Sequence, residues 1–290
     1  MNTLTAYILI IFVTLIMLYV LLKIYRLLIR RPDSYPSASF IQKLQQRAIS
    51  QRIACLGDSI TQGDVGVSYV RMVERHFSSQ SVAFLNAGIN SDLSYTLLRR
   101  LDEVIAAKPM LVTLLIGTND VYARMSPPMT VGLLLQGKIH ETPTFESYKG
   151  NIARILHRLK TETSASIAIL SLPLISEDIG HTVNQLGDQY SDYLREVARQ
   201  MDVEYLPLRE KQKEYLRGRF QRTKYAYEDS FRLILTCIFY HLLGISWDKM
   251  AEFHGNQLSI DNFHSNTCTA QMIAELVKDF IQRHSQLQPA

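Results

Sequence analysis

At 290 residues, 47% hydrophobic and 20% charged, the chain can bury a full core in one medium-sized domain, and its composition excludes disorder and low complexity. A net charge of +4, with no basic stripe interleaved with aromatic residues, argues against nucleic acid as a partner. Three widely spaced cysteines, Cys55, Cys237 and Cys268, form no Cys-x-x-Cys pair and have no neighbouring histidines arranged as zinc ligands, so they point to neither a zinc site nor a disulfide framework.

The first element is apolar throughout. No charge occurs from Ala6 to Leu22, and apolar residues continue around Lys23 and Arg26 to Ile29. About 20 such residues span the hydrocarbon core as a helix. A buried core helix would need a polar face, and this run has none. A cleaved signal peptide would carry basic residues before the apolar stretch and small ones after it, whereas Lys23, Arg26, Arg30 and Arg31 all follow it. We expect a single-pass transmembrane anchor over residues 1–31. The positive-inside rule puts the domain after it on the cytoplasmic side, but long domains translocate regardless of charge, so an extracytoplasmic domain stays open. Residues 32–50 begin with two prolines and three serines between Pro32 and Ser39, and they read as a linker and lead-in.

From residue 51 onward the pattern alternates. Short β-type runs appear at Arg52–Leu56, Val82–Asn86, Leu111–Ile116, Ile167–Leu172 and Val203–Leu206. Amphipathic stretches lie near Tyr69–Phe77, Leu93–Ala107, Phe145–Glu162 and Gln185–Met201, with a last one at Thr269–His284. Strands alternating with helices predict a three-layer α/β/α sandwich around a central parallel sheet of about five strands. Polar clusters follow the first three strands: Gly57-Asp58-Ser59, Asn86-Ala87-Gly88 and Gly117-Thr118-Asn119-Asp120. Parallel sheets bind ligands beyond the carboxyl ends of their strands, so the three clusters form one candidate site.

The alternation breaks at about 210–255. The first part is basic, with Lys211, Lys213, Arg217, Arg219, Arg222 and Lys224, and the second, Phe231 to Trp247, is mostly apolar. This is a helical insertion, read either as a pair packed on the sheet or as a lid touching a bilayer surface.

A serine hydroxyl needs an imidazole to take its proton and a third group to orient that imidazole. Ser59 can supply the first, and Asp261-x-x-His264 the other two. Of the other histidines, His76 and His157 fall in helical patterns, His241 lies in the apolar insertion, and His254 is the rival base. His264 has an acidic residue three positions earlier and is the favoured base. The backbone N–H groups of Ser59 and Gly88 and the side-chain amide of Asn119 are the candidate oxyanion donors. Asp58 and Asp120 are expected to fix their turns by hydrogen bonds.

The ordered set Gly57-Asp58-Ser59-Ile60-Thr61, Gly88, Gly117-Thr118-Asn119-Asp120 and Asp261-x-x-His264 resembles the four blocks of the SGNH/GDSL hydrolase family, the GDSL-type esterases and lipases. The resemblance covers Arg52 to the C-terminus apart from the insertion. It implies a flavodoxin-like fold and hydrolysis of esters or thioesters with no metal or other cofactor. It also implies Ser59 as nucleophile, His264 as base and then acid, Asp261 as its orienter, and Ser59, Gly88 and Asn119 as the oxyanion hole. Two departures stand out. The second block usually has another glycine after the first, where this chain has Asn90-Ser91, and the fourth often has Gly and Pro where Asn262 and Ser265 stand. The expected activity is a membrane-anchored serine hydrolase acting on a lipid or lysophospholipid-type acyl ester. The alternatives are a glycan O-deacetylase and a catalytically silent binding protein.

Overall fold

Five apolar runs become the strands β1 (Gln51–Gly57), β2 (Val82–Gly88), β3 (Leu111–Leu115), β4 (Ser166–Leu170) and β5 (Glu204–Leu206). They form one sheet in the order β2-β1-β3-β4-β5, and every neighbouring pair is parallel. This computed structural model describes residues 3–45, 49, 51–78, 81–219, 236, 239–240, 243–285 and 287. The helices in chain order are α1 (Thr3–Ile29), α2 (Ala38–Gln45), α3 (Ser59–Gln62), α4 (Tyr69–His76), α5 (Ser94–Arg99) and α6 (Leu101–Ala106). They continue as α7 (Thr118–Met125), α8 (Pro127–Leu135), α9 (Phe145–Glu162), α10 (Thr182–Gln200), α11 (Leu208–Leu216), α12 (Trp247–His254) and α13 (Thr267–His284).

The period-2 alternation of side chains splits the core into two layers. Ala54 and Leu56 of β1 join Val112 and Leu114 of β3 under α5, α6, α9 and α10. Ile53 and Cys55 join Leu111 and Leu115 on the other face, under α4 and α13. Every residue of β3 is buried, which explains why that strand reads as an unbroken apolar run. The strand order is that of a flavodoxin-like doubly wound sheet, whose ligand crevice lies at the carboxyl ends where the order reverses. Here that point is the gap between β1 and β3.

Two expectations change. The single helix foreseen at Leu93–Ala107 is two, broken at Arg100 (φ −110°, ψ 13°), whose guanidinium reaches back to Asp92 and to the Gly57 carbonyl. Residues 32–50 are not a free linker: Tyr35 and Leu44 are buried in the core layer, and α2 occupies part of the segment. In the insertion, α11 and α12 flank residues 220–235, which lie outside the described residues together with Cys237 and His241. Arg222, Lys224 and the apolar run from Phe231 to Leu235 therefore carry no structural account. Tyr240 stacks on Trp247 at 3.8 Å between ring centroids.

Among the described residues, α1 is the one helix long and apolar enough to cross a membrane. None of its Thr3–Val20 stretch is buried, and by length and composition it suits either a span or a signal sequence.

Candidate active site

At the carboxyl end of β1 the Asp58 carboxylate caps α3, its Oδ1 accepting the Ile60 N–H at 3.0 Å. The cap starts the helix one residue later, so Ser59 stands at its first turn with its own N–H free of partners among the described residues. Ser59 is 4% exposed.

His264 arrives from the far end of the chain. Asp261 Oδ1 accepts the backbone N–H groups of Phe263 and His264 at 3.1 and 2.7 Å, and the Ile260 N–H donates to the His264 carbonyl at 2.8 Å, closing a tight turn. Glu177 fastens the approach to that turn by accepting the N–H groups of Gln257, Leu258 and Ser259. The second oxygen of Asp261 lies 2.8 Å from His264 Nδ1, and His264 Nε2 lies 2.9 Å from Ser59 Oγ. An ionised carboxylate only accepts, so Nδ1 carries the proton and Nε2 is left to receive the serine's. Burial disfavours the imidazolium, but the charge and hydrogen bond of Asp261, with the charge of Asp58, outweigh it and raise the His264 pKa. Burial likewise opposes ionisation of Asp261, yet His264 and the two backbone N–H groups hold its pKa below the ordinary carboxylate value.

The rival base is occupied elsewhere. His254 Nδ1 donates to the Ile260 carbonyl at 2.6 Å and so supports the turn from beneath. His76 is half-buried and His157 exposed, both on helices away from the serine.

Asn119 and Gly88 meet different fates. Gly117, at φ 128°, lets the chain turn from β3 into α7 where any Cβ would strike the Tyr148 ring. Asn119 follows, and its Nδ2 donates to the Asp92 carbonyl at 2.9 Å, leaving a second N–H on the same nitrogen. This side chain therefore lies beside the end of the β2–α5 loop. Gly88, in contrast, spends its N–H on Asn86 Oδ1 at 3.0 Å. Its lack of a side chain serves packing, because a Cβ there would come within 2.2 Å of the Gln62 nitrogen of α3. The loop residue with an N–H free of partners among the described residues is Ser91, at φ 58°.

Several supporting residues escaped the sequence reading. Asn86 Nδ2 donates to the Thr61 and Gln62 carbonyls, so one side chain ties β2 to the C-terminal end of α3. Gln62 Oε1 accepts the Asn90 N–H at 2.6 Å, while its Nε2 donates to the Arg30 carbonyl at 2.9 Å. Asp92 is paired with Arg100 at 2.7 Å and Lys138 at 3.1 Å. Asp120 accepts both the N–H and the hydroxyl of Ser94, at 2.9 and 2.6 Å, and burial pushes its pKa up to about 6. Asp58 is pushed further, to about 7, by burial, with its Oδ2 lacking a partner among the described residues.

A doubly wound parallel sheet whose crevice holds Ser59, His264 and Asp261 in hydrogen-bond sequence defines a serine ester hydrolase of the SGNH type. The profile of the GDSL-like Lipase/Acylhydrolase family matches residues 55–242, and the chain belongs to that family. No curated protein matches the chain. Among solved structures it is similar to a variant of Axe2, an acetyl-xylooligosaccharide esterase from Geobacillus stearothermophilus, with a TM-score of 0.57 and 18% identity over 81% of this chain and 94% of that one. It is also similar to LAE5, an alpha/beta hydrolase enzyme from the metagenome of Lake Arreo, Spain, with a TM-score of 0.56 and 20% identity over 82% and 96% of the two chains. At these identities the likeness is one of fold.

Proposed function

We propose that the protein is a membrane-anchored acylhydrolase that cleaves a carboxylic ester or thioester through an acyl-enzyme on Ser59. The observation that carries this reading is the continuous relay from Ser59 Oγ through His264 to Asp261, at 2.9 and 2.8 Å. As Ser59 Oγ attacks the carbonyl carbon, its proton passes to His264 Nε2, and Asp261 stabilises the imidazolium. His264 then gives that proton to the leaving alcohol or thiol as the tetrahedral intermediate collapses. Water, deprotonated by the same nitrogen, releases the acid and restores the serine. The Ser59 N–H and the Asn119 amide stabilise the oxyanion, and the Ser91 N–H takes the part first assigned to Gly88, whose N–H is spent on Asn86.

The favoured substrate is a lipid or lysophospholipid-type ester, because an anchor over residues 1–31 keeps the hydrolase domain of residues 51–290 beside a bilayer, with the segment between them packed on that domain. O-deacetylation of a glycan is the second reading, supported by the esterase likeness above. The intact relay speaks against a silent binding protein.

Fluorophosphonate labelling tests the assignment. Wild type is expected to label, and Ser59→Ala and His264→Ala to lose labelling and about 10⁴-fold or more in kcat. Labelling that persists in folded Ser59→Ala rules the nucleophile out. Release of acetate from acetylated xylo-oligosaccharide, compared with release of fatty acid from lysophosphatidylcholine, separates the two substrate readings.

A further inference from the structure

Helix α8 has no charged residue, and none follows until Lys138. Its Pro128, Val131, Leu134 and Leu135 face outward in one stripe at helical spacing, with Val131, Leu134 and Leu135 exposed by 53%, 41% and 84%. The opposite side is occupied, since Leu133 and Met129 pack on Leu93 and on Ala123 of α7. Leu93 directly follows Asp92, and α7 carries Asn119, so α8 is seated on the two elements that flank the reacting serine. Single exposed leucines are ordinary, but a continuous apolar stripe on an uncharged helix marks a contact surface.

The exit point of the anchor identifies what covers it. α1 ends at Ile29, and the carbonyl of the next residue, Arg30, accepts from Gln62 Nε2. Gln62 Oε1 holds Asn90, and the Asn90 carbonyl accepts from Lys138 Nζ, three residues beyond Leu135. Three hydrogen bonds thus lead from the end of α1 to the end of α8. The intervening chain is docked, not slack: the Asn86 N–H donates to the Ser34 carbonyl, and Tyr35 is 2% exposed. The exposed Lys23 and Arg26 on the last turns of α1 mark the depth of the headgroups on the same side.

We propose that α8 is a second membrane contact, its Pro128–Val131–Leu134–Leu135 stripe seated in the leaflet from which α1 emerges. The site then opens at the lipid surface and takes water-insoluble esters sideways from that leaflet. This rests on the reading of α1 as a membrane anchor.

The test uses the full chain in vesicles of phosphatidylcholine and phosphatidylglycerol. Leu135→Cys carries an environment-sensitive fluorophore. The same label on Glu162→Cys, at the opposite end of the sheet, and on the wild-type cysteines sets the background. The expected result is a blue-shifted label at position 135, quenched at least twofold by lipids bearing a nitroxide near the headgroup, with position 162 unaffected. The charged pair Val131→Asp and Leu135→Asp is expected to lose fivefold or more on a long-chain p-nitrophenyl ester embedded in vesicles while keeping its rate on soluble p-nitrophenyl acetate. A label at 135 that is indifferent to lipid quencher, in protein that stays with vesicles through an alkaline wash, overturns the inference and leaves the anchor standing. Protein that washes off overturns both.

Discussion

Ser91 and Asn262 hold φ values of 58° and 68°, a region that costs L-residues about 1–2 kcal/mol. These positions fall within the two departures from the family's blocks, at sites where glycine is usual. The turns are therefore kept and the strain accepted, which asparagine tolerates better than serine. This also explains why Gly88 misled the sequence reading: a glycine at a strand end is visible, but a serine forced into the left-handed region carries no mark in the sequence. Asp261 and His264 were legible because a three-residue turn joins them. The oxyanion assignment yields a direct expectation: Asn119→Ala lowers kcat by about 10²–10³-fold with little change in KM, measured on a soluble ester. The acid beside the nucleophile yields another. With a pKa near 7, Asp58 keeps its proton in the folded chain between about pH 4 and 7, where the unfolded chain releases it. Its contribution to stability is present below that window and lost as pH rises through about 7, and Asp120, near 6, acts in the same direction. Asparagine can still cap α3, so Asp58→Asn is expected to flatten the fall in Tm between pH 5 and 8. Because Asp58 charge helps to raise the His264 pKa, the same variant moves the acidic limb of kcat/KM to lower pH. A limb that stays put or moves upward counts against the coupling.

The helix that carries Ser59 is only four residues long, too short to hold itself in water, so its position depends on its neighbours. Asn86 supplies three hydrogen bonds to that junction, at 3.0, 3.2 and 3.0 Å, and is buried. Asn86→Ala leaves those backbone groups unpaired, and we expect a loss of about 2–4 kcal/mol, read from urea unfolding of the purified protein. A loss below about 1 kcal/mol contradicts that role. Gln62→Ala is expected to fold with a milder loss and to lower kcat, since it frees the Asn90 end of the loop that carries Ser91. Strands β1 to β4 were legible because largely buried parallel strands read as apolar runs. Helix α8 was not, because nothing in its uncharged run alternates polar and apolar faces. The break at Arg100 was hidden too, because it arises from a guanidinium drawn to Asp92 and the Gly57 carbonyl.

As a whole, the molecule joins an apolar N-terminal helix directly to the catalytic edge of a doubly wound sheet. Alternating strands and helices foretold the three layers, but the path from Arg30 to Gln62 depends on contacts across 32 positions of chain, which no local pattern displays. The family match places the chain among ester hydrolases, and the hydrogen bond from Ser59 to His264 at the sheet's carboxyl edge is the basis of the proposed acyl-enzyme. The acyl-enzyme can be caught directly. The full-length protein is mixed with excess p-nitrophenyl ester, quenched in acid during turnover, digested, and its peptides weighed by mass spectrometry. The expected result is a mass gain of one acyl group on the peptide containing Ser59, absent from Ser59→Ala. Steady ester turnover with no acylated peptide, or with the acyl group on another residue, contradicts the account.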